Sequence, residues 1–331
     1  MTAIATAASP RVDLRRFEEE GYLAVENVLD IERDLEPVVR EYEEVLDREI
    51  ARRHADGTIP SRYEELPFVQ RLAAFLSAAG KGAYQAFDIS LPLKSATEET
   101  PLHLGPAVFG MLTSQRLIDT VEQFIGPEVL SNPIQHVRIK PPEAWLPADF
   151  KGGLIGQTDW HQDQGVALAE VDQTEMLTVW LAITDATEEN GCLCVVPGSH
   201  KRGLATHCPA KPGSARIGLH IPDELRGTDF TPVPIKRGGA LFLDRRTMHS
   251  SLRNLSDGAR WSFDLRYQPI GQPTGRPWLP SFVVRSRKDP SSEVHDWQEW
   301  AGLWRHARTR LATGGGVEKT NRWDGSQPAC A

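Results

Sequence analysis

Two kinds of hydrophobic spacing divide the chain near residue 130. Before that point, apolar residues recur every three to four positions, which is the spacing of a helix with one buried face. This spacing predicts helices over 13–21, 32–53, 63–90 and 113–125. A short strand is predicted at 22–25, directly after the first helix. The first part of the chain is therefore predicted to be mainly helical.

After residue 130 the apolar and polar residues alternate in short segments separated by Pro, Gly and Asn. This pattern is typical of a β-sandwich or barrel. The predicted strands are 134–140, 157–163, 176–184, 192–196, 240–243 and 260–267. Segment 205–232 is rich in proline and glycine and too long for a plain connection, so we expect a functional loop there.

A third pattern appears near the end of the chain. Trp297, Trp300, Trp304 and Leu311 fall near one face of a predicted helix over 293–311. We expect this helix to cover the sheet, and the alternative is an interface between two copies of the chain in a homodimer.

The simplest division of the chain is a single domain between two loose ends. The predicted boundaries are a flexible N-terminus 1–12, a domain 13–311 (helical elaboration 13–128, β-barrel core 129–270, covering tail and helix 271–311) and a loose C-terminus 312–331. A chain of 331 residues with 40% hydrophobic content can bury a core of this size.

Composition excludes several classes of partner. A net charge of -8 argues against a nucleic-acid partner, which needs clustered Lys and Arg. There is no apolar run of about 18 residues to span a membrane, and the N-terminus lacks the basic start of a signal peptide.

Cys192 and Cys194 are expected to be core residues rather than a metal pair. Four cysteines fit a reducing cytoplasm.

The most informative short motif is His161-Gln162-Asp163. On a strand, residues two apart project from the same face, so His161 and Asp163 would lie side by side. An imidazole and a carboxylate are two of the three ligands of a 2-His-1-carboxylate iron site. The second histidine must come from elsewhere, and spacing alone does not choose among the 10 histidines.

The neighbours of His249 favour it as that second histidine. Arg260 follows 11 residues later, beyond a turn at Gly258. The returning strand places Arg260, Ser262, Asp264 and Arg266 on one face. A buried guanidinium needs a partner, and it matches a carboxylate through two parallel hydrogen bonds.

The distal carboxylate of 2-oxoglutarate is a fitting partner for Arg260, and the Ser251 hydroxyl could add a hydrogen bond. Direct pairing of Arg260 with Asp264 is disfavoured, because four strand residues span roughly 13 Å.

With these residues in place, the sequence resembles the phytanoyl-CoA dioxygenase-like branch of the iron(II)/2-oxoglutarate oxygenases. The resemblance spans roughly residues 13–310. Its motifs are His161-x-Asp163, His249, Ser251, Asn254, Ser256, Arg260, the start Phe17-Glu-Glu-Glu-Gly-Tyr-Leu-Ala-Val25, and Glu189-Asn-Gly-Cys-Leu193 running into Val196-Pro-Gly-Ser-His200.

The resemblance implies a mainly β fold with α elaboration. The expected core is a double-stranded β-helix, a jelly-roll or cupin-like barrel, flanked by N-terminal and C-terminal helices. It also implies the site residues. The iron ligands would be His161, Asp163 and His249, and the 2-oxoglutarate contacts would be Arg260, Ser251, Trp180 and Gln135.

Four histidines outside this set need an interpretation. His200 and His220 are rival third ligands, although the resemblance makes His200 structural. His103 and His136 are expected in the core or in a pocket wall.

The implied cofactors are Fe(II), 2-oxoglutarate as cosubstrate, and O2. Related halogenases carry Ala or Gly where this chain has Asp163, so hydroxylation, desaturation or cyclisation is favoured over halogenation. The expected substrate is a small molecule of specialised metabolism, and the alternative is an acyl chain bound to CoA or a carrier. Other classes are a non-catalytic cupin-like metal or ligand binder and a metal-dependent hydrolase or isomerase, neither of which needs Arg260.

Three segments are candidate substrate walls, namely 94–106, 143–158 and 205–232. Lys140, Arg138 and Arg266 are candidate contacts for an acidic substrate.

Overall fold

The structure is a computed structural model that describes residues 9–150, 155–211, 216, 218–314 and 317–331. Parts of the predicted N-terminus 1–12 and of the walls 143–158 and 205–232 lie outside these residues. Across the described chain, no helix is long and apolar enough to cross a membrane.

Helices dominate the N-terminal part, as the spacing predicts. The α-helices of the whole described chain are α1 Leu14–Glu20, α2 Glu36–Ala55, α3 Phe68–Ala79, α4 Pro106–Leu112, α5 Gln115–Ile125, α6 Asp223–Arg226 and α7 Trp297–Thr313. The Asp13 side chain caps α1 by accepting from Arg16 N at 3.0 Å. Gly21 then ends α1 in the left-handed region with φ of 81° and turns the chain into the first strand.

The described strands form two antiparallel sheets. They are β1 Tyr22–Val25, β2 Glu128–Ser131, β3 His136–Lys140, β4 Leu177–Ala182, β5 Leu193–Val195, β6 Thr231–Val233, β7 Ala240–Asp244, β8 His249–Ser251, β9 Arg260–Pro269 and β10 Phe282–Ser286. The larger sheet has the order β1-β7-β4-β9-β2-β10, with β3 also paired to β9, and the smaller has the order β6-β5-β8. This is the mainly β jelly roll with added helices that the sequence predicts.

Strand β9 pairs with three other strands, and its two faces have different surroundings. It pairs with β4 along one edge and with β3 and β2 along the other. On its outer face, Trp261 and Phe263 pack against the Tyr42 ring of α2, with ring centroids 5.2 and 6.0 Å away. Burial of each such side chain stabilises the fold by roughly 1.5–3 kcal/mol. A slip of one residue would exchange this face with the polar one, so the register is strongly specified.

The strand predicted over 157–163 is not formed. His161 and Asp163 nevertheless lie close together, as a strand would have placed them. Only His161 forms a bridge, to His249, and Asp163 begins a 3-10 turn, Asp163–Val166. The Gln162 side chain explains the difference. Its amide donates to Gly203 O and Arg246 O and accepts from Ala205 N, so loops hold the segment at Gln162, and the bridge at His161 links it to β8.

Several short elements were not predicted from the sequence. They are α4, α6, β2, β6, β8 and β10. The strands among them have three to five residues, which is too short for a period to show. Strand β6 lies inside the segment predicted as an irregular loop.

Helix α7 packs against the N-terminal helices. Trp300 and Trp304 are fully buried, and the Trp300 ring lies 5.7 Å from that of Phe109 in α4. The helix therefore covers the helical layer, whereas the homodimer stays a prediction.

The described part of the predicted loose C-terminus is bound to the barrel, which corrects that expectation. Arg322 forms an ion pair with Asp172 at 2.6 Å, and Trp323 Nε1 donates to Gly165 O at 2.7 Å. Cys330 is joined to Cys208 by a disulfide across 122 residues. Glycine content and polarity predict a free end. The sequence does not reveal these contacts, because the partners are far away along the chain.

Because of the disulfide, we expect only two of the cysteines to react with an alkylating reagent before reduction. Alkylation of unfolded, unreduced protein should modify two cysteines, Cys192 and Cys194, whereas prior reduction should expose all 4. Replacing Cys208 and Cys330 with Ser should lower the free energy of unfolding by about 2–4 kcal/mol. Intact mass and urea denaturation measure the two effects, and four modified cysteines without reduction would contradict the disulfide.

Candidate metal centre

Two histidines from distant parts of the chain are joined through their backbones. His161 N donates to His249 O at 3.0 Å, and His249 N donates to His161 O at 2.9 Å. Their ring centroids are 4.2 Å apart. With Asp163 they place three possible ligand atoms within 4.8 Å of one another. Among the described residues, no other group of three His, Cys, Asp or Glu side chains converges in this way.

Hydrogen bonds to carbonyl groups orient both imidazoles. Nδ1 of His161 lies 2.8 Å from Asp159 O, and Nδ1 of His249 lies 3.0 Å from Thr247 O. A carbonyl only accepts, so each Nδ1 carries the hydrogen and each Nε2 keeps a lone pair for a metal. Burial, with the nearby charge of His249, lowers the pKa of His161 to about 3. His161 is therefore neutral near pH 7, as a ligand must be.

Asp163 is a charged carboxylate with a partner on each oxygen. Arg266 Nη2 donates to Oδ1 at 2.7 Å, and the Thr178 hydroxyl donates to Oδ2. Burial alone would raise the pKa of Asp163, but the charges of Arg266, His249 and His161 outweigh it and hold that pKa well below its usual range. Two imidazoles and one carboxylate are the donor set typical of non-haem iron(II).

A small pocket beside the triad contains a buried arginine with no carboxylate of its own. Arg260 is fully buried, and its Nη1 donates to Ser262 Oγ at 2.5 Å. In the described part of the chain, its Nε and Nη2 have no hydrogen-bond partner. Its guanidinium lies over the Trp180 ring, 5.3 Å from the centroid. Burial lowers the pKa of Arg260 to about 10, and unsatisfied buried donors are costly, so an anionic ligand would stabilise this site.

Asp264 does not neutralise Arg260 directly. Its carboxylate is ion-paired with Arg138 across the β3–β9 pair. This agrees with the expectation that residues 260 and 264 are too far apart along the strand to pair.

Two predicted cosubstrate contacts are not placed on the pocket. The Ser251 hydroxyl accepts from Lys140 Nζ and from Thr158 N, both at 3.0 Å, and it is Ser250 that lines the pocket together with Arg260 and Trp180. Gln135 is buried and donates to Ile89 O at 3.1 Å, away from the pocket. The sequence could not show that the Ser251 hydroxyl is already engaged by Lys140 and Thr158.

The rival histidines lie elsewhere. His200 Nε2 lies within hydrogen-bond distance of Glu18 O in α1, at 3.1 Å. Its ring packs so closely on Gly21 that a Cβ there would lie 2.2 Å away. His200 therefore holds α1 in place. The backbone of His220 pairs with Cys208. His103 bonds to Glu41 and His136 to Asp88, each at 2.8 Å.

Cys192 and Cys194 are buried, as the prediction of core cysteines requires. Burial raises the pKa of Cys192 to about 11 and that of Cys194 to about 12, so both remain thiols.

A second, larger cavity of about 550 Å³ adjoins the triad and also includes His161 and Asp163 in its wall. All three predicted wall segments contribute, for example Lys94, Thr158 and Leu219. Residues outside those segments also line it, including His136 and Arg276. Lys140 is not among the described residues of its wall, and the Lys140 Nζ donates to Ser251 Oγ and Leu252 O.

Sequence reasoning missed the roles of Arg266 and Thr178 as partners of Asp163. The strand pattern places Arg266 on the same face as Arg260 and predicts for it a contact with an acidic substrate. Its position at an even spacing from Arg260 was the available signal. Period-two alternation identifies a face but does not identify the partner across the barrel.

Comparison with known proteins gives matches in sequence and in fold. The family model for phytanoyl-CoA dioxygenase (PhyH) matches residues 17–262. Phytanoyl-CoA dioxygenase domain-containing protein 1 of Danio rerio is 25% identical over 265 residues, which cover 75% of this chain and 86% of that protein. The Bos taurus protein of the same name is 25% identical over 284 residues, covering 81% of this chain and 91% of that protein. The non-heme monooxygenase ThoJ has a similar fold, with a TM-score of 0.53 and 18% identity over 91% of this chain and 97% of that chain.

The depressed pKa of His161 predicts acid sensitivity in the metal-free protein. Its folded pKa, about 3, lies below the unfolded value of 6.5, so between these values the unfolded chain binds the extra proton. Stability should therefore fall on acidification through this window, by up to about 1.4 kcal/mol per pH unit for this group.

Urea denaturation at a series of pH values tests the assignment to His161. His161→Gln should flatten the pH dependence, whereas His54→Gln, at an exposed position, should not. Equal pH slopes in wild type and His161→Gln would contradict the burial of a neutral His161.

Proposed function

Because the chain belongs to the phytanoyl-CoA dioxygenase family, we propose that it is an iron(II)- and 2-oxoglutarate-dependent dioxygenase acting on an unactivated C–H bond of a small molecule. Hydroxylation is the primary outcome, and desaturation or cyclisation are variants of the same reaction. We place the substrate in specialised metabolism. The observation that carries the proposal is the pair of unpartnered Arg260 donors in a pocket that also contains His161 and His249.

In this proposal the metal is held by His161, Asp163 and His249. When bound, iron together with 2-oxoglutarate and dioxygen supplies the oxidation of the C–H bond, with succinate and carbon dioxide as coproducts. The chain contributes two oriented Nε2 atoms and a carboxylate kept in place by Arg266 and Thr178. These hydrogen bonds set the ligand directions before metal binds, which reduces the reorganisation that binding requires.

Arg260 is proposed to bind the distal carboxylate of 2-oxoglutarate. Its free Nε and Nη2 donors form the fork that a carboxylate accepts in two parallel hydrogen bonds. Each orphaned buried donor costs about 1–3 kcal/mol, which binding would recover. Trp180 covers the guanidinium with its ring and shields it from water.

Asp163 supports hydroxylase-type chemistry rather than halogenation. Its carboxylate is buried, charged and hydrogen-bonded on both oxygens. It therefore occupies the ligand position that a halide would need to take. A non-catalytic barrel or a hydrolase would have no need of the Arg260 pocket.

The proposed cosubstrate predicts a spectroscopic signal. Wild-type protein with Fe(II) and 2-oxoglutarate under anaerobic conditions should show a weak visible band from the iron–keto acid chelate. The band should be missing from His161→Ala, which removes a ligand, and kept in His54→Ala. If the wild type forms no band and releases no succinate on aeration, the oxygenase proposal is wrong.

Arg260→Ala should separate cosubstrate binding from metal binding. Loss of a charged hydrogen-bond pair is worth about 1.5–3 kcal/mol, so the Kd for 2-oxoglutarate should rise about 10- to 100-fold. The Kd for Mn(II) in the absence of 2-oxoglutarate should change by less than about threefold, because Arg260 contacts none of the three ligands. Calorimetric titration measures both constants, with exposed Arg15→Ala as the matched control. Equal weakening of both ligands would argue against this role.

A further inference from the structure

A second arginine near the metal centre also lacks an acidic partner. Arg276 lines the larger cavity. Its Nη1 donates to Gly275 O at 3.1 Å and to Thr320 O at 2.5 Å, and its Nη2 donates to Val166 O at 2.5 Å. Val166 ends the short turn that begins at Asp163. The guanidinium is therefore anchored to the same turn that carries the metal carboxylate.

These bonds leave part of Arg276 available. A guanidinium has five N–H groups, and three of them are engaged here. One N–H on Nε and one on Nη2 have no acceptor in the described ranges of the chain, and no described carboxylate forms an ion pair with Arg276. Its three acceptors are neutral carbonyl groups, so its charge is not compensated. Burial, together with the charge of Arg266, lowers the pKa of Arg276 to about 10.

The other charged groups of this cavity increase the positive potential. Its two acidic wall residues are already paired, Asp163 with Arg266 at 2.7 Å and Asp159 with Arg216 at 3.2 Å. Lys94 at the wall is exposed and has no partner among the described residues. A wall with unpaired cations attracts and holds an anion.

Apolar residues form more than half of the remaining wall of the cavity, which also contains Ser90, Gln157 and Thr158. Leu91, Leu93, Ile134, Val166 and Leu279 all contribute to it. A volume of about 550 Å³ lies within the range of pockets that enclose one small organic molecule. The matching ligand has an apolar body and one anionic group.

We propose that the substrate is a small organic acid whose apolar body fills this cavity and whose carboxylate binds the free N–H groups of Arg276. The proposal rests on the proposed oxygenase function and adds the substrate class. An acyl chain carried as a thioester is neutral at its reacting end, and the phosphates of its carrier lie far from the acyl carbons. An anion site one turn from Asp163 therefore favours a free acid over a carrier-bound chain. Arg276 would orient the apolar body relative to the metal.

The test is a binding measurement without turnover. Protein is loaded with Mn(II) and 2-oxoglutarate under anaerobic conditions, so that the Arg260 pocket is filled. Calorimetry then compares matched pairs of acid and amide, namely decanoate with decanamide, 2-naphthoate with 2-naphthamide, and adamantane-1-carboxylate with its amide. At least one acid should bind about tenfold tighter than its amide, the strength of a charge-assisted pair.

Variants assign that preference to Arg276. Arg276→Gln should weaken the acid to the affinity of its amide while leaving the amide within about twofold, and Arg276→Lys should keep part of the preference. Arg62→Gln, at an exposed position, should keep all of it. A merely structural role for Arg276 would weaken acid and amide together, and that result would overturn the proposal.

Two further outcomes would also overturn it. One is equal binding of every acid and its amide to the wild type. The other is tight binding of coenzyme A alone that depends on Arg276, since this would identify a carrier as the source of the anion. Failure of Mn(II) and 2-oxoglutarate to bind would instead count against the oxygenase function. In that case the acid and amide pairs are compared in metal-free Arg260→Ala and Arg260→Ala/Arg276→Gln proteins, and an acid preference that the second variant keeps would overturn the proposal.

Discussion

Charge buried inside the barrel has to be compensated, and the inner face of β9 concentrates charge there. Arg260, Asp264 and Arg266 alternate along this face and are nearly or fully buried. An isolated charge in such a place is far more costly than a paired one. Asp264 is paired with Arg138, and Arg266 with Asp163. Arg260 has no carboxylate in the described structure, so an anionic ligand would complete the network.

The same strand couples the site to the stability of the fold. Its outer face packs on α2, and its two edges pair with β4 and β3. This packing fixes the register that points Arg266 at Asp163 and Arg260 at the pocket. The two histidines of the site are held together by the reciprocal backbone hydrogen bonds between His161 and His249. The triad therefore forms where the two sheets meet, although His249 lies 86 residues beyond Asp163 in the sequence.

Much of this could be predicted from the sequence because alternation reports side-chain direction. It correctly put Arg260 and Arg266 inside the barrel and His161 beside Asp163, even though residues 157–163 form no strand. It could not identify partners, since a period specifies a face and not the side chain opposite. The engagement of Ser251 by Lys140, and the carbonyl groups around Arg276, depend on such distant contacts. The bound C-terminus escaped prediction for the same reason.

The unpaired Nε and Nη2 of Arg260 in the described structure and the His161–Asp163–His249 triad are proposed to bind 2-oxoglutarate and iron together. The most direct test is an anaerobic crystal structure of the protein with Fe(II) and 2-oxoglutarate. We expect one iron bound by these three side chains and chelated by the keto acid, with the distal carboxylate on Nε and Nη2 of Arg260. Iron held by other side chains, or 2-oxoglutarate bound away from Arg260, would contradict it.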